Sequence, residues 1–131
     1  MILQTLLAVA AGGAAGASAR YMVSAALLRL MGDAFPYGTL FVNVVGSFLM
    51  GVLIETLALK VNIPRDVQAL LAPGFLGGFT TFSTFSLDAV TLFERQAYAA
   101  AAAYVLGSVI LSITALVIGM VLVRAVVALL P

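Results

Sequence analysis

The 131-residue chain contains no cysteine and no histidine, and only 8% of its residues are charged. Without cysteine there is neither a disulfide framework nor a thiolate metal or redox site. Without histidine, the commonest proton shuttle and zinc ligand is missing too. Most enzyme classes drop out on these two absences, because serine and aspartate alone make no credible catalytic constellation. Six Lys/Arg stand against five Asp/Glu, for a net charge of +1, and the basic residues are scattered singly. No basic stripe exists to neutralise phosphates, so nucleic acid is not a partner. Any polar partner must be small.

What the chain has in abundance is apolar surface: 64% of its residues are hydrophobic and its mean hydropathy is +1.24. Soluble domains carry about a quarter charged residues, so this chain belongs in lipid. Its start, Met1-Ile2-Leu3-Gln4-Thr5-Leu6, lacks the basic stretch of a secretory signal, although small residues from Ala10 to Ala19 imitate a cleavage site. Charges and Pro/Gly breaks divide the sequence into four apolar stretches, about 2–29, 38–59, 67–92 and 97–127. Each is near or above the ~20 residues needed to cross a bilayer. The expected fold is all-α and integral to the membrane: one four-helix transmembrane domain over 1–131, joined by short loops at Gly32-Asp33 and Pro36, at Lys60 to Asp66 with Pro64, and at Glu94-Arg95.

With an even number of spans, both termini and the 60–66 loop share one side, holding Lys60, Arg65 and Arg124 against Arg29 and Arg95 on the other. So even a split hardly specifies a direction. Two readings stay open: translocation history fixes one topology, or copies insert both ways and pair antiparallel about a two-fold axis in the membrane plane.

The polar residues follow helical lines. In the first stretch Gly12, Gly16 and Arg20 are spaced by fours, a close-packing face ending on an arginine that must face a cavity or partner, or snorkel to the boundary. In the second, Asn43, Ser47, Gly51 and Glu55 form one stripe. The Asn43 amide offers N–H donors to an anion stripped of water, or simply ties two helices together; Glu55, near the helix end, reads as an interfacial residue. The third stretch carries Pro73-Gly74-Phe75-Leu76-Gly77-Gly78-Phe79-Thr80-Thr81-Phe82-Ser83-Thr84-Phe85-Ser86. A proline and three glycines in mid-span predict a broken helix, which lipid forbids unless the freed backbone groups find protein, water or an ion. The bland alternative is a kink with hydroxyls bonding back to their own helix. Phe82 and Phe85 share a face, Thr81, Thr84 and Asp88 follow a second line, and Ser83 and Ser86 a third. Phenyl edges are weakly positive and suit an anion, although two such rings also simply pack. In the fourth stretch Tyr104, Ser108 and Ser112 make a hydroxyl ladder, either the other side of a polar track or an interhelical contact.

At these residues the sequence resembles the Fluc (CrcB) fluoride channel family over essentially its whole length. The matching runs are Gly12-Gly13-Ala14-Ala15-Gly16-Ala17-Ser18-Ala19-Arg20, Gly38-Thr39-Leu40-Phe41-Val42-Asn43-Val44-Val45-Gly46-Ser47-Phe48 and Gly74 through Ser86, the last being the most specific. The resemblance implies an antiparallel, dual-topology homodimer in the bacterial inner membrane, with two pores that pass fluoride passively and lower its cytoplasmic concentration. It implies pore-lining Phe82 and Phe85, a pore amide at Asn43, and a polar track through Ser83, Thr84, Ser86, Tyr104, Ser108 and Ser112. It also implies a vestibule arginine at Arg20, and a structural sodium ion at the dimer centre held by the carbonyls of Gly77 and Thr80. Two other functions fit the length and span count. A proton-coupled multidrug exporter needs a membrane-embedded carboxylate, and the first helix contains no acid. A non-transporting helical subunit explains the small-residue faces but not the dense hydroxyl run.

Overall fold

A computed structural model describes residues 2–59 and 62–129; Lys60, counted above in the charge balance, lies outside the described residues. The described chain is all helical, and four of its spans are long and apolar enough to cross a membrane. Helix α1 runs Ile2–Met31 and α2 Tyr37–Ala58. The third span begins with α3, Arg65–Ala69, widens into a π-helical stretch Leu70–Leu76 containing Pro73, and continues as α4, Gly77–Phe79. Helix α5, Phe82–Glu94, completes that span, and α6 is Tyr98–Ala128.

The ends of these helices follow from local chemistry. Gly32 takes φ +78° and its N–H bonds the Leu28 carbonyl at 2.9 Å, the left-handed stop that glycine takes without steric cost. Pro36 and Pro64 precede α2 and α3, where a missing N–H costs nothing. Pro64 therefore starts the third span at Arg65, two residues ahead of the expected start. Between α5 and α6, Gln96 adopts φ 60° while the Ala97 N–H returns to the Leu92 carbonyl at 3.0 Å.

Packing is backbone on backbone. A Cβ at Gly51 would overlap the Leu116 carbonyl, and one at Gly119 the Phe48 carbonyl, so α2 and α6 cross with nothing between them. The face spaced by fours on α1 does the same to the third span: a Cβ at Gly12 would strike the Leu70 carbonyl, and one at Gly16 the Phe75 carbonyl. In lipid, such close approach supplies the dispersion contacts and short polar distances that hydrophobic burial supplies in water. Consistent with that, the buried apolar cluster is small, formed by Phe85, Leu92, Ala101 and Tyr104, while Leu, Ile and Val side chains cover the outside.

Glu55 lies near the end of α2. It is 6% exposed and forms a bidentate pair with Arg124 of α6, both N–O distances 2.9 Å. A carboxylate facing the packed side of α2 requires such a partner, and Arg124 is brought to it by the α2–α6 crossing.

Candidate functional site

The site is built around two residues that leave the helix. Thr80 has φ −85° and ψ 159°, and Thr81 φ −155° and ψ 119°, both extended, between Phe79 and Phe82. Their backbone groups are accounted for one by one. The Thr81 N–H, the regular partner of the Gly77 carbonyl, instead donates to Asn43 Oδ1 at 2.8 Å. Asn43 Nδ2 donates back to the Thr81 carbonyl at 3.0 Å. The Thr84 N–H, the regular partner of the Thr80 carbonyl, donates to Thr81 Oγ1 at 3.2 Å, so Thr81 caps α5 as threonine commonly does. The Gly78 carbonyl accepts from Arg20 Nε at 3.0 Å. Side chains of α1 and α2 thus satisfy what a helix would have satisfied internally, the condition for irregular backbone at membrane depth.

Against this segment lies a cavity of about 380 Å³, open on one side. Asn43 and Ser47 of α2, Thr80, Thr81, Phe82 and Phe85 of the third span, and Ser108 and Ser112 of α6 line it, with Met50, Ile113 and Leu116 toward one end. The rings of Phe82 and Phe85 are 5.4 Å apart and tilted by 43°, yet they are not equivalent. Phe85 is buried and Phe82 is 79% exposed, standing at the open side. Ser108 is 5% exposed, and its Oγ has no hydrogen-bond partner among the described residues. A buried hydroxyl in that condition is uncommon and calls for an occupant or a role.

The remaining residues of the expected track stand outside the cavity. Thr84 and Ser83 bond the Thr81 hydroxyl at 3.1 and 3.3 Å, and Ser86 bonds back to the Phe82 carbonyl at 2.9 Å. Thr80 likewise bonds back to Leu76 at 2.9 Å, so the bland back-bonding alternative operates alongside the extended pair. Tyr104 is wholly buried, its ring 5.4 Å from Phe85 and edge-on to Phe35 at 5.6 Å; its hydroxyl donates to Asp88 Oδ2 at 3.1 Å. Arg20 reaches the third span itself through Gly78. Sequence reasoning passed over Ser47 as a site residue although it lies on the Asn43 stripe. It also missed Thr81 as a cap, for which the Thr81-x-x-Thr84 spacing was the available signal.

No group of three or more Asp, Glu, His or Cys among the described residues could hold a metal. The carbonyls of Gly77 and Thr80 are a different matter: their regular helical donors are both diverted, and carbonyl oxygens are the ligands a hard monovalent or divalent cation takes. The donor set therefore fits such an ion. For an anion, the cavity offers the Ser108 hydroxyl, Ser112, the second Nδ2 hydrogen of Asn43 and aromatic edges, with no lining residue of fixed charge. Donors without a fixed charge suit an ion that has to bind and leave again.

Residues 7–120 match the model of the family described as CrcB-like protein, Camphor Resistance (CrcB). The chain is 58% identical over 123 residues, 94% of its length and 97% of the other protein's, to the fluoride-specific ion channel FluC of Cereibacter sphaeroides. It is 54% identical over 121 residues, 92% of its length and 97% of the other's, to that of Chelativorans sp.. With the FluC of Rhizobium leguminosarum bv. trifolii it shares 52% identity over 124 residues, covering 95% and 98%.

Proposed function

The chain belongs to the CrcB-like family, and from that premise we propose that it is a fluoride-selective channel, through which the ion moves passively and its cytoplasmic concentration falls. It is a multi-pass membrane protein and not an enzyme. The observation that carries the channel reading in this chain is the cavity between Phe82, Phe85 and Asn43 with the unpartnered Ser108 hydroxyl inside it. Fluoride is small and strongly hydrated, so it enters only where hydrogen-bond donors replace its water. Ser108 and Ser112 give hydroxyl protons, the free Nδ2 hydrogen of Asn43 gives another, and Phe85 presents a ring from the buried side. Phe82 stands at the opening, where its ring meets the ion entering or leaving.

Two copies in antiparallel, dual-topology arrangement would carry two such pores, in keeping with the nearly even split of basic residues and with the exposure of Phe82. The third span works as a broken helix in this reading, its gap at Thr80 and Thr81 held open by Asn43. The carbonyls of Gly77 and Thr80 from both copies would hold a structural sodium ion at the dimer centre, where it would supply positive charge. The diverted N–H groups of Thr81 and Thr84 support that assignment. Family membership makes the bacterial inner membrane the expected location. The exporter alternative lacks its carboxylate: Glu55 is engaged by Arg124 and Asp88 by Tyr104, and neither lines this cavity.

The experiment is fluoride efflux from liposomes holding purified protein, followed with a fluoride electrode after valinomycin releases the potassium counter-charge, with chloride run in parallel. Rapid fluoride release without chloride, lost in Phe82→Ile, supports the pore and puts the ring in it. Silence for both ions from a folded dimer sinks it in favour of a packing subunit.

A further inference from the structure

Helices α2 and α6 each contain a single charged residue, Glu55 and Arg124, and these two are bonded to each other. The fork they form, 2.9 Å on both arms, is the only ion pair among the described residues. Its halves are unequal: the Arg124 side chain is 60% exposed and that of Glu55 8%, so parting them strands the carboxylate among packed helices. Apolar contacts do little to index α6 along α2. The other side chains of α6 are uncharged and mostly apolar, so lipid alone does not fix its height. The crossing is backbone on backbone, Gly51 against Leu116 and Gly119 against Phe48, which sets how near the axes come more than where along them they meet.

The separation of 69 residues between Glu55 and Arg124 recurs at the cavity. Asn43 and Ser112 are equally far apart in sequence, as are Ser47 and Leu116, and all four line it. Helices α2 and α6 run in the same direction, so at ~1.5 Å per residue Asn43 and Ser112 both stand about 18 Å from the fork. We infer that the Glu55–Arg124 fork is a register clamp, the positioning pair that holds the Ser108 and Ser112 hydroxyls level with the Asn43 amide. The inference rests on the channel reading above. A slip of one turn carries every α6 hydroxyl ~5.4 Å along the path, beyond hydrogen-bond reach of an ion held at Asn43. Buried polar and ionic pairs are better attested as devices that fix register than as sources of stability. Here the fork joins the two helices whose hydroxyl and amide groups face each other across the cavity.

The double variant Glu55→Leu with Arg124→Leu removes the fork without stranding a charge. Made in the full chain and reconstituted as above, it is expected to fold and to pass fluoride about tenfold more slowly, the loss of one hydrogen bond to a charged partner. The exchanged pair, Glu55→Arg with Arg124→Glu, rebuilds the fork and is expected to return efflux to within about twofold. Register is read separately. In the cysteine-free chain, Ser47→Cys is combined in turn with Ser108→Cys, Ser112→Cys and Leu116→Cys, and mild oxidation shows on non-reducing gels which pair closes within one chain. Cysteines whose Cα atoms are more than about 7 Å apart do not bridge, so a slip of one turn changes the pair that closes. With the fork intact one pair is expected to dominate, and in the double-leucine background its share falls by about twofold or more. The same profile in both backgrounds overturns the inference, whatever the efflux. So does a double-leucine protein that conducts like the unaltered one, and so does an exchanged pair that folds yet conducts no better than the leucine pair. Should the leucine pair not fold, Arg124→Lys, which keeps the charge and gives up the fork, takes its place in both measurements. If the unaltered chain itself passes no fluoride, the channel reading fails, while the disulfide profile still tests the clamp.

Discussion

Replacing Ser108 by alanine separates what the hydroxyl does for folding from what it does for the ion. Ser108 is 5% exposed and its Oγ has no partner among the described residues. Leaving a buried hydroxyl unsatisfied costs about 1–3 kcal/mol. Ser108→Ala removes that cost together with a single oxygen, so the variant is expected to fold with unchanged or slightly raised stability, by up to about 1 kcal/mol. A hydrogen bond to a charged partner is worth about 1.5–3 kcal/mol. If the hydroxyl donates to the passing anion, its loss therefore slows fluoride efflux by roughly 10- to 100-fold, at 1.4 kcal/mol per factor of ten. Resistance of the protein to unfolding in graded detergent, and electrode-detected efflux, measure the two effects independently. Ser108→Thr keeps the hydroxyl and is expected to recover much of the efflux while its extra methyl group costs stability. A Ser108→Ala protein that is clearly destabilised and conducts normally would refute the reasoning, because the hydroxyl would then have been bonded within the protein all along.

Asn43→Asp keeps an acceptor for the Thr81 N–H but loses the donor to the Thr81 carbonyl and adds negative charge to the cavity; efflux is expected to fall at least a hundredfold, and vesicle assays check it. Arg124→Leu leaves Glu55 facing packed helices without its counter-charge, so the protein unfolds at lower detergent. The double variant with Glu55→Leu recovers part of the loss, a non-additivity that a double-mutant cycle measures. Gly51→Val drives a side chain into the Leu116 carbonyl and is expected to prevent α2 and α6 from packing, visible as loss of a monodisperse peak on size-exclusion chromatography. Exchanging sodium for N-methyl-D-glucamine throughout purification is expected to lower the protein's stability if the Gly77 and Thr80 carbonyls hold a cation, with unfolding midpoints at graded sodium as the readout.

Much of this architecture was written in simple periodicities. Four long apolar runs gave four spans because lipid leaves a chain few alternatives, and the spacing by fours of Gly12, Gly16 and Arg20 marked the face that α1 turns to the third span. The stripe Asn43, Ser47, Gly51 and Glu55 pointed to one side of α2, and that side carries the cavity, the crossing with α6 and the ion pair. Where reading stopped was at partners distant in sequence. Glu55 and Arg124 are 69 residues apart, and nothing local says that α6 returns its arginine to that carboxylate. Likewise, the amide of Asn43 read as an open donor pair, whereas one of its two N–H donors and its oxygen are engaged by the backbone of Thr81. The unpartnered state of Ser108 depends on what three helices fail to provide, and no spacing in α6 reveals it.

The reciprocal bonds between Asn43 and Thr81 amount to one rung of a β-ladder, drawn by a side chain instead of a second strand. That has a consequence for biogenesis. While the third span enters the membrane alone, no α2 amide is in place, and an extended pair of residues in hydrocarbon would strand its peptide groups. The segment 65–94 is therefore expected to insert as an unbroken helix and to open at Thr80 and Thr81 only when it docks on α2. The gap would then be a product of assembly, and quality control that samples the chain before docking would meet four ordinary helices.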